Sequence, residues 1–546
     1  MTDSVISRRG LIAGASLAAG ALAAAGEAVA QGSPPPAQPA PAGLGGAPES
    51  QIFFVAETSA GKVRGIDNGG IKEFKGVPYG APTSGAGRFL PAKAPAPWSG
   101  VRDCIGYGQI SPQTVSDVRS EYAQMIMWDR HVGPGGMGED CLNLNIWTPG
   151  LSGKKAVMVS FHGGGWATGS GNGPMYDGAN LCKFGDVVVV TVNHRLAAFG
   201  YASVGALPGA PSDLADAGAV GVADMVASLR WVQANIAAFG GDPGKVMIFG
   251  QSGGGSKVST LLATPSAKGL FHRAAIQSGS TIRQRTMEEG AAAAKQLLAA
   301  LGGSSYADLA RAEWWQLLQA QTDAMAKGAN FAPVVGGATL PHHPFDPGAP
   351  AESAAVPVII STCLEDAALR LTNFDLDEAG LRDVIAKLNP AKAEEITRMY
   401  LDANLKKNAY LTQAQAITDS GARKNAILQG ERRAALGGAP TWMYIWAWAT
   451  PAFDGKFGAV HGHDVDASFH IARSPIAGAG TSEGHLMADR LASAWVSFAK
   501  TGDPNCDAIP HWAPYDATTR ATMIFDTHTR VENDPRRAFR ELWASV

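Results

Sequence analysis

The stretch Lys245-Val246-Met247-Ile248-Phe249-Gly250-Gln251-Ser252-Gly253-Gly254 decides how this chain folds. Its first five residues are an apolar run of strand length, and Gly253 onward opens into a segment that can turn into a helix. A serine at such a strand-to-helix corner sits on a tight, strained turn. The flanking positions must be small, because a side chain there would strike the strand or the helix. The hydroxyl is then held above the sheet, with the next backbone N–H aimed at the same point. The pattern predicts Ser252 as a nucleophile at the end of a buried strand.

A second glycine cluster supports this reading. His162-Gly163-Gly164-Gly165-Trp166 follows another apolar run, Ala156 to Phe161, about 90 residues upstream of the serine. Acyl transfer builds negative charge on a carbonyl oxygen, and N–H donors aimed at that oxygen are often the largest catalytic contribution. Consecutive glycines present N–H groups with no side chains in the way. Gly164, Gly165 and Gly253 are the expected donors of an oxyanion hole, and Trp166 borders it as a candidate wall of the substrate pocket.

Working outward, 546 residues with 46% apolar and 17% charged side chains bury a large core. A net charge of −3 without a basic stripe gives no footprint for nucleic acid. Val187–Val192, Val356–Ile360 and Trp442–Trp446 read as further buried strands, and 223–238 and 488–500 as helices. Apolar strands alternating with helices predict an α/β fold: a central, mostly parallel sheet flanked by helices. The Ala-, Gln- and Leu-rich region from Gln284 to Glu352 reads as a helical insertion over the site.

Residues 1–30 read as a Tat-type signal peptide. Ser7-Arg8-Arg9-Gly10-Leu11-Ile12 is a twin-arginine signature, residues 10–26 are uncharged, and Ala28-Val29-Ala30 is a small-residue cleavage site. Residues 31–50 are a Pro/Ala/Gly-rich linker, and 51–546 the catalytic domain, with folded structure starting near Ile52. The expected location is periplasmic or secreted, in a bacterium, with no stable membrane anchor. Five cysteines, an odd number, leave at least one thiol outside any intramolecular disulfide.

A serine nucleophile needs a base, and the base needs an orienting carboxylate. Gly458-Ala459-Val460-His461-Gly462-His463-Asp464 offers two histidines in a glycine-flanked loop. His-x-His lacks carboxylates at ligand spacing, so no metal is called for, and His463 reads as structural. Ser361-Thr362-Cys363-Leu364-Glu365-Asp366 ends a strand with two adjacent carboxylates, and chemistry alone leaves both open as the acid. Two other motifs lead elsewhere. Ser152-Gly153-Lys154-Lys155 fits S-x-x-K but lies in a polar loop, and Gly133 to Gly138 fits G-x-G-x-x-G but precedes a strand.

From about Val55 to Ala544 the chain resembles the type-B carboxylesterase/lipase family, which includes bacterial carboxylesterases and the cholinesterases. The resemblance rests on Phe74-Lys75-Gly76-Val77-Pro78-Tyr79, Arg88-Phe89-Leu90-Pro91 and Glu139-Asp140-Cys141-Leu142-Asn143-Leu144-Asn145-Ile146-Trp147. Asn193-His194-Arg195-Leu196, Phe239-Gly240-Gly241-Asp242-Pro243, Gln277-Ser278-Gly279 and Phe498 through Asn505 extend it. It implies the α/β-hydrolase fold, hydrolysis of small carboxylic esters and no cofactor. It puts Asp366 at the acid position, leaves Glu365 as the alternative acid, and selects His461 over His463. The family's usual Ala after the nucleophile is here Gly253, and its Cys-Pro-Gln is Ser111-Pro112-Gln113, so a disulfide from Cys141 is left with Cys104 as its candidate partner. Imidazole as base implies a rate that falls below about pH 6–7. The same triad would also serve an amide or lactam hydrolase or an acyltransferase. A non-catalytic binding module of this fold is a further alternative, though such members typically lose the nucleophile.

Overall fold

The computed structural model describes residues 52–114, 133–404 and 406–545; the expected signal peptide and linker, residues 1–50, lie outside them. The strands are β1 (Phe53–Thr58), β2 (Gly61–Asn68), β3 (Ile71–Pro78), β4 (Val101–Asp103), β5 (Asn143–Thr148), β6 (Lys155–Phe161) and β7 (Val188–Val192). They continue with β8 (Gly241–Gln251), β9 (Arg273–Gln277), β10 (Val358–Cys363), β11 (Thr441–Trp446), β12 (Ala521–Phe525) and β13 (Arg530–Asn533). They form one sheet in the order β1-β2-β3-β5-β7-β6-β8-β9-β10-β11-β12-β13, with β4 beside β2. From β7 to β12 every neighbouring pair is parallel; the flanks of that order are antiparallel, and β4 runs parallel to β2.

The central strands are apolar on both faces because both are covered. Side chains alternate across a strand, so Val157, Val159, Val246 and Ile248 enter one core while Met158, Met247 and Phe249 enter the other. The first core is closed by α1 (Val220–Asn235) and α2 (Gly253–Leu262), through Met225, Leu229, Val258 and Leu261. After α2 come α3 (Met287–Leu301), α4 (Tyr306–Arg311), α5 (Trp314–Ala326) and the short α6 (His463–Ser468). The second core is closed by α7 (Ser482–Thr501), through Leu491, Trp495 and Phe498.

Element boundaries differ from expectation for local reasons. The helix expected over 488–500 begins at Ser482, where the Thr481 side chain accepts the Gly484 N–H; its polar first turn hides this start from an apolar pattern. The strand expected at 356–360 begins after Pro357 and runs to Cys363. The region from Gln284 to Glu352 is helical only in part: α3, α4 and α5 end at Ala326, and the rest of it is irregular apart from a 3₁₀ turn at Ala351–Ser353. Gly328, Pro333, Gly336, Gly337, Pro341, Pro344 and Pro347 break any helix there. Cys104 and Cys141 are buried thiols, not a disulfide, and all five cysteines are free. Ser111 Oγ instead accepts the Leu196 N–H at 3.1 Å. The Gly133–Gly138 run is a loop tied to Ile110, and Lys155 of the S-x-x-K match opens β6 and pairs with Asp186.

Candidate active site

The site is built where the parallel strands end. Residues 162–165 follow β6, Ser252 follows β8, Asp366 lies three residues beyond β10, and His461 lies beyond β11. This is the carboxyl edge of an open parallel sheet, where crevices form between diverging connections.

Ser252 has φ +59° and ψ −122°, the strained turn its neighbours predicted. Its N–H donates to Gln277 O at 2.8 Å, so the turn is anchored to the end of β9. The flanking glycines are required by their surroundings. A Cβ on Gly250 would lie 2.5 Å from Phe161 O, and one on Gly254 would lie 2.1 Å from the same oxygen. A Cβ on Gly253 would lie 2.3 Å from Gly165 N. The glycine-rich loop and the start of α2 are therefore in backbone contact.

Gly164 and Gly165 have φ +83° and +62°, conformations open to glycine at low cost. The Gly163 N–H donates to the Tyr176 hydroxyl at 2.9 Å and is committed to the structure. The turn closes with Thr168 N–H on Gly164 O at 3.1 Å, and Ala197 N–H donates to Trp166 O at 2.7 Å. Behind Ala197, the buried Arg195 makes paired bonds of 2.6 and 2.8 Å to the buried Asp224 of α1. Gln113 clamps Gly169 from both sides, at 2.7 and 3.0 Å. Trp166 packs edge-on against Tyr201 and lines a cleft with Thr281, Gln284, Arg285, Asn330 and Ala332, so residues of the 284–352 region share that cleft with Trp166.

His461 Nδ1 lies 2.8 Å from Asp366 Oδ1, and Asp366 Oδ2 accepts the Cys363 N–H at 3.1 Å. The adjacent carboxylate has other partners. Glu365 is bridged to Val460, whereas Asp366 opens a 3₁₀ turn, Asp366–Arg370, so the two carboxylates part company. Glu365 is fully buried, where it accepts from Lys407, from Gln415 Nε2 at 2.7 Å and from Ala459 N–H at 2.8 Å. His463 is stacked on Trp448, with Nδ1 3.1 Å from both the Trp446 indole nitrogen and Trp448 O. Burial pushes its pKa down to about 4, which fits the structural role expected of it.

Three contributors were not legible beforehand. Gln277 joins the two halves of the site: its carbonyl holds Ser252, and its Nε2 donates to Asp464 O at 3.4 Å. Asp464 is fully buried, accepts the Tyr444 hydroxyl at 2.7 Å, and is pushed up to about 6, chiefly by burial. Lys257, one turn into α2, is the third. The signal was present for Lys257 alone, as a lone charge among small and apolar residues from Gly253 to Leu262.

A strained serine at the edge of β8, a glycine loop against its helix and a histidine–carboxylate pair beyond β10 and β11 invite comparison with known proteins. The Carboxylesterase family pattern matches residues 54–543. The chain belongs to the carboxylesterase family. It is 32% identical to the para-nitrobenzyl esterase of Bacillus subtilis over 508 residues, covering 89% of this chain and 98% of that one. It is 30% identical to the phenmedipham hydrolase of Pseudarthrobacter oxydans, covering 86% and 94%. A crystal structure of a Geobacillus stearothermophilus carboxylesterase superposes with a TM-score of 0.75 at 33% identity, over 90% of this chain and 99% of that one. The fold is thus that of the α/β-hydrolase carboxylesterases, and the chain is a carboxylic ester hydrolase.

Proposed function

We propose that this carboxylesterase hydrolyses small carboxylic esters through Ser252, His461 and Asp366, with the N–H groups of Gly164, Gly165 and Gly253 as the oxyanion hole. The observation that carries the assignment is the 2.8 Å contact between His461 Nδ1 and Asp366 Oδ1, with Glu365 engaged elsewhere. Asp366 accepts the Nδ1 proton and keeps Nε2 free to take a proton. As Ser252 Oγ bonds to the ester carbonyl carbon, its proton passes to His461 Nε2. The carbonyl oxygen becomes an oxyanion facing the three N–H groups. The C–O bond to the alcohol then breaks, and the alcohol leaves with the His461 proton. Water repeats the sequence on the acyl-serine and releases the acid. The substrate approaches along the Trp166 cleft.

The test is hydrolysis of p-nitrophenyl acetate and butyrate by the full-length protein beside Ser252→Ala. A fall of about 10⁴-fold or more in kcat with Tm kept supports the assignment. Activity surviving in Ser252→Ala overturns it.

We also infer that the protein is exported by the twin-arginine route. Ser7-Arg8-Arg9-Gly10-Leu11-Ile12 and Ala28-Val29-Ala30 support this reading. N-terminal sequencing of the exported form should begin at Gln31, and replacing Arg8 and Arg9 by lysine should leave the protein in the cytoplasm. Retention of the unaltered protein in the cytoplasm would reject the idea.

A further inference from the structure

Lys257 is fully buried in α2, where the neighbouring helical residues are small or apolar. Its Nζ donates to His162 O at 2.7 Å, the first residue of the glycine loop. The same nitrogen also lies over the Trp166 ring, 5.9 Å from its centroid. Among the described residues no carboxylate is paired with it. Burial alone holds its pKa well below the usual lysine range.

The placement comes from helix geometry. Residues four apart share a helix face, so Lys257 stands one turn above Gly253 on the side that packs against the glycine loop. Gly253 and Gly254 touch that loop by backbone at Gly165 and Phe161. Lys257 adds the only side-chain bond from α2 to the His162 carbonyl among the described residues. An amine buried without an acidic partner is a poor way to stabilise a fold, because its desolvation is not offset by an ion pair. A long donor that fixes one peptide of a loop with three glycines has a clearer use. The His162–Gly163 peptide is the hinge from which the Gly164 and Gly165 N–H groups are aimed, and oxyanion stabilisation depends on donors already in place.

We propose that Lys257 is a positioning residue for ester hydrolysis, which pins the His162–Gly165 loop to α2 and thereby sets the aim of the Gly164 and Gly165 N–H groups. The inference rests on the oxyanion hole proposed above.

The test compares full-length protein with Lys257→Met and Lys257→Gln. Methionine matches lysine in reach and removes the donor; glutamine keeps a shorter one. Rates with p-nitrophenyl butyrate are expressed per site titrated with a fluorophosphonate, so a preparation that folds only in part is still read. The second readout is inhibition by an alkyl trifluoromethyl ketone. Ser252 Oγ adds to its carbonyl carbon, the Oγ proton goes to His461, and the former carbonyl oxygen stays as an oxyanion in the hole. Losing an oxyanion donor outright costs roughly 10²–10³-fold in kcat, and a misaimed pair should cost about 10-fold or more. Lys257→Met is expected to lose that much kcat with KM within about 3-fold, to weaken the ketone by the same factor, and to keep or raise Tm. Lys257→Gln should fall between. A Met variant with parental kcat and ketone affinity overturns the inference, as does one that loses Tm alone. A parent inert toward esters is a different failure, seen before any variant is compared, and it removes the proposed function itself.

Discussion

Exchanging the two adjacent carboxylates one at a time should separate rate from stability. Asp366 holds two donors at once, His461 Nδ1–H at 2.8 Å and Cys363 N–H at 3.1 Å. In Asp366→Asn a single amide oxygen must serve one of them. The Cys363 N–H is fixed at the end of β10, so the oxygen turns toward it and the NH₂ group faces His461. The imidazole then accepts at Nδ1, carries its proton on Nε2, and cannot take the serine proton. That wrong tautomer costs about 10³–10⁴-fold in kcat, roughly 4–5 kcal/mol on the barrier. Stability should barely change, because shape and one good bond survive. Glu365→Gln reverses the outcome. The buried glutamate accepts from Lys407, Gln415 and Ala459, and the amide leaves the Lys407 ammonium without its partner. The Lys407 side chain is 30% exposed and regains some hydration, so the loss is about 2 kcal/mol. The expected result is a clear drop in Tm with kcat per titrated site within about 3-fold. The assays are p-nitrophenyl butyrate hydrolysis and thermal denaturation on the same preparations. If Glu365→Gln lost about 100-fold in kcat while folded, or Asp366→Asn kept a tenth of parental kcat, the assignment of the acid would be wrong.

Two more outcomes are expected from the geometry. Gly253→Ala, which restores the family's usual residue, should lower kcat/KM by about 10-fold or more, because its methyl would stand 2.3 Å from Gly165 N and push that donor away; unchanged kinetics would show that the loop does not hold this position. Asp464 is held near 6 by burial, above its ordinary value, so the stability it lends is complete below about pH 4 and is lost as pH rises through about 6. Asp464→Asn removes that loss. Its stability relative to the parent should therefore rise by up to about 3 kcal/mol between pH 4 and pH 7.5, and parallel curves from chemical denaturation at the two pH values would contradict the burial argument.

The sequence alone determined what depends on near neighbours along the chain. The corner at Ser252 is dictated by a strand, two glycines and a helix start, and a positive φ there needs no distant partner to be foreseen. Apolar runs such as Val188–Val192 announce strands buried on both faces, because only a covered parallel sheet tolerates them. The end of helix after Ala326 was equally local, written in glycines and prolines that the composition of the wider region obscured. The acid was different. Residues alone left Glu365 and Asp366 equivalent, and only the bridge between Glu365 and Val460, which joins segments nearly a hundred residues apart, together with the 3₁₀ turn that opens at Asp366, sets one against His461 and the other against Lys407. Lys257, Gln277 and Asp464 belong with it. Each acts through a contact with a remote loop, and a side chain's electrostatics are set by its surroundings in space, which tertiary packing alone decides.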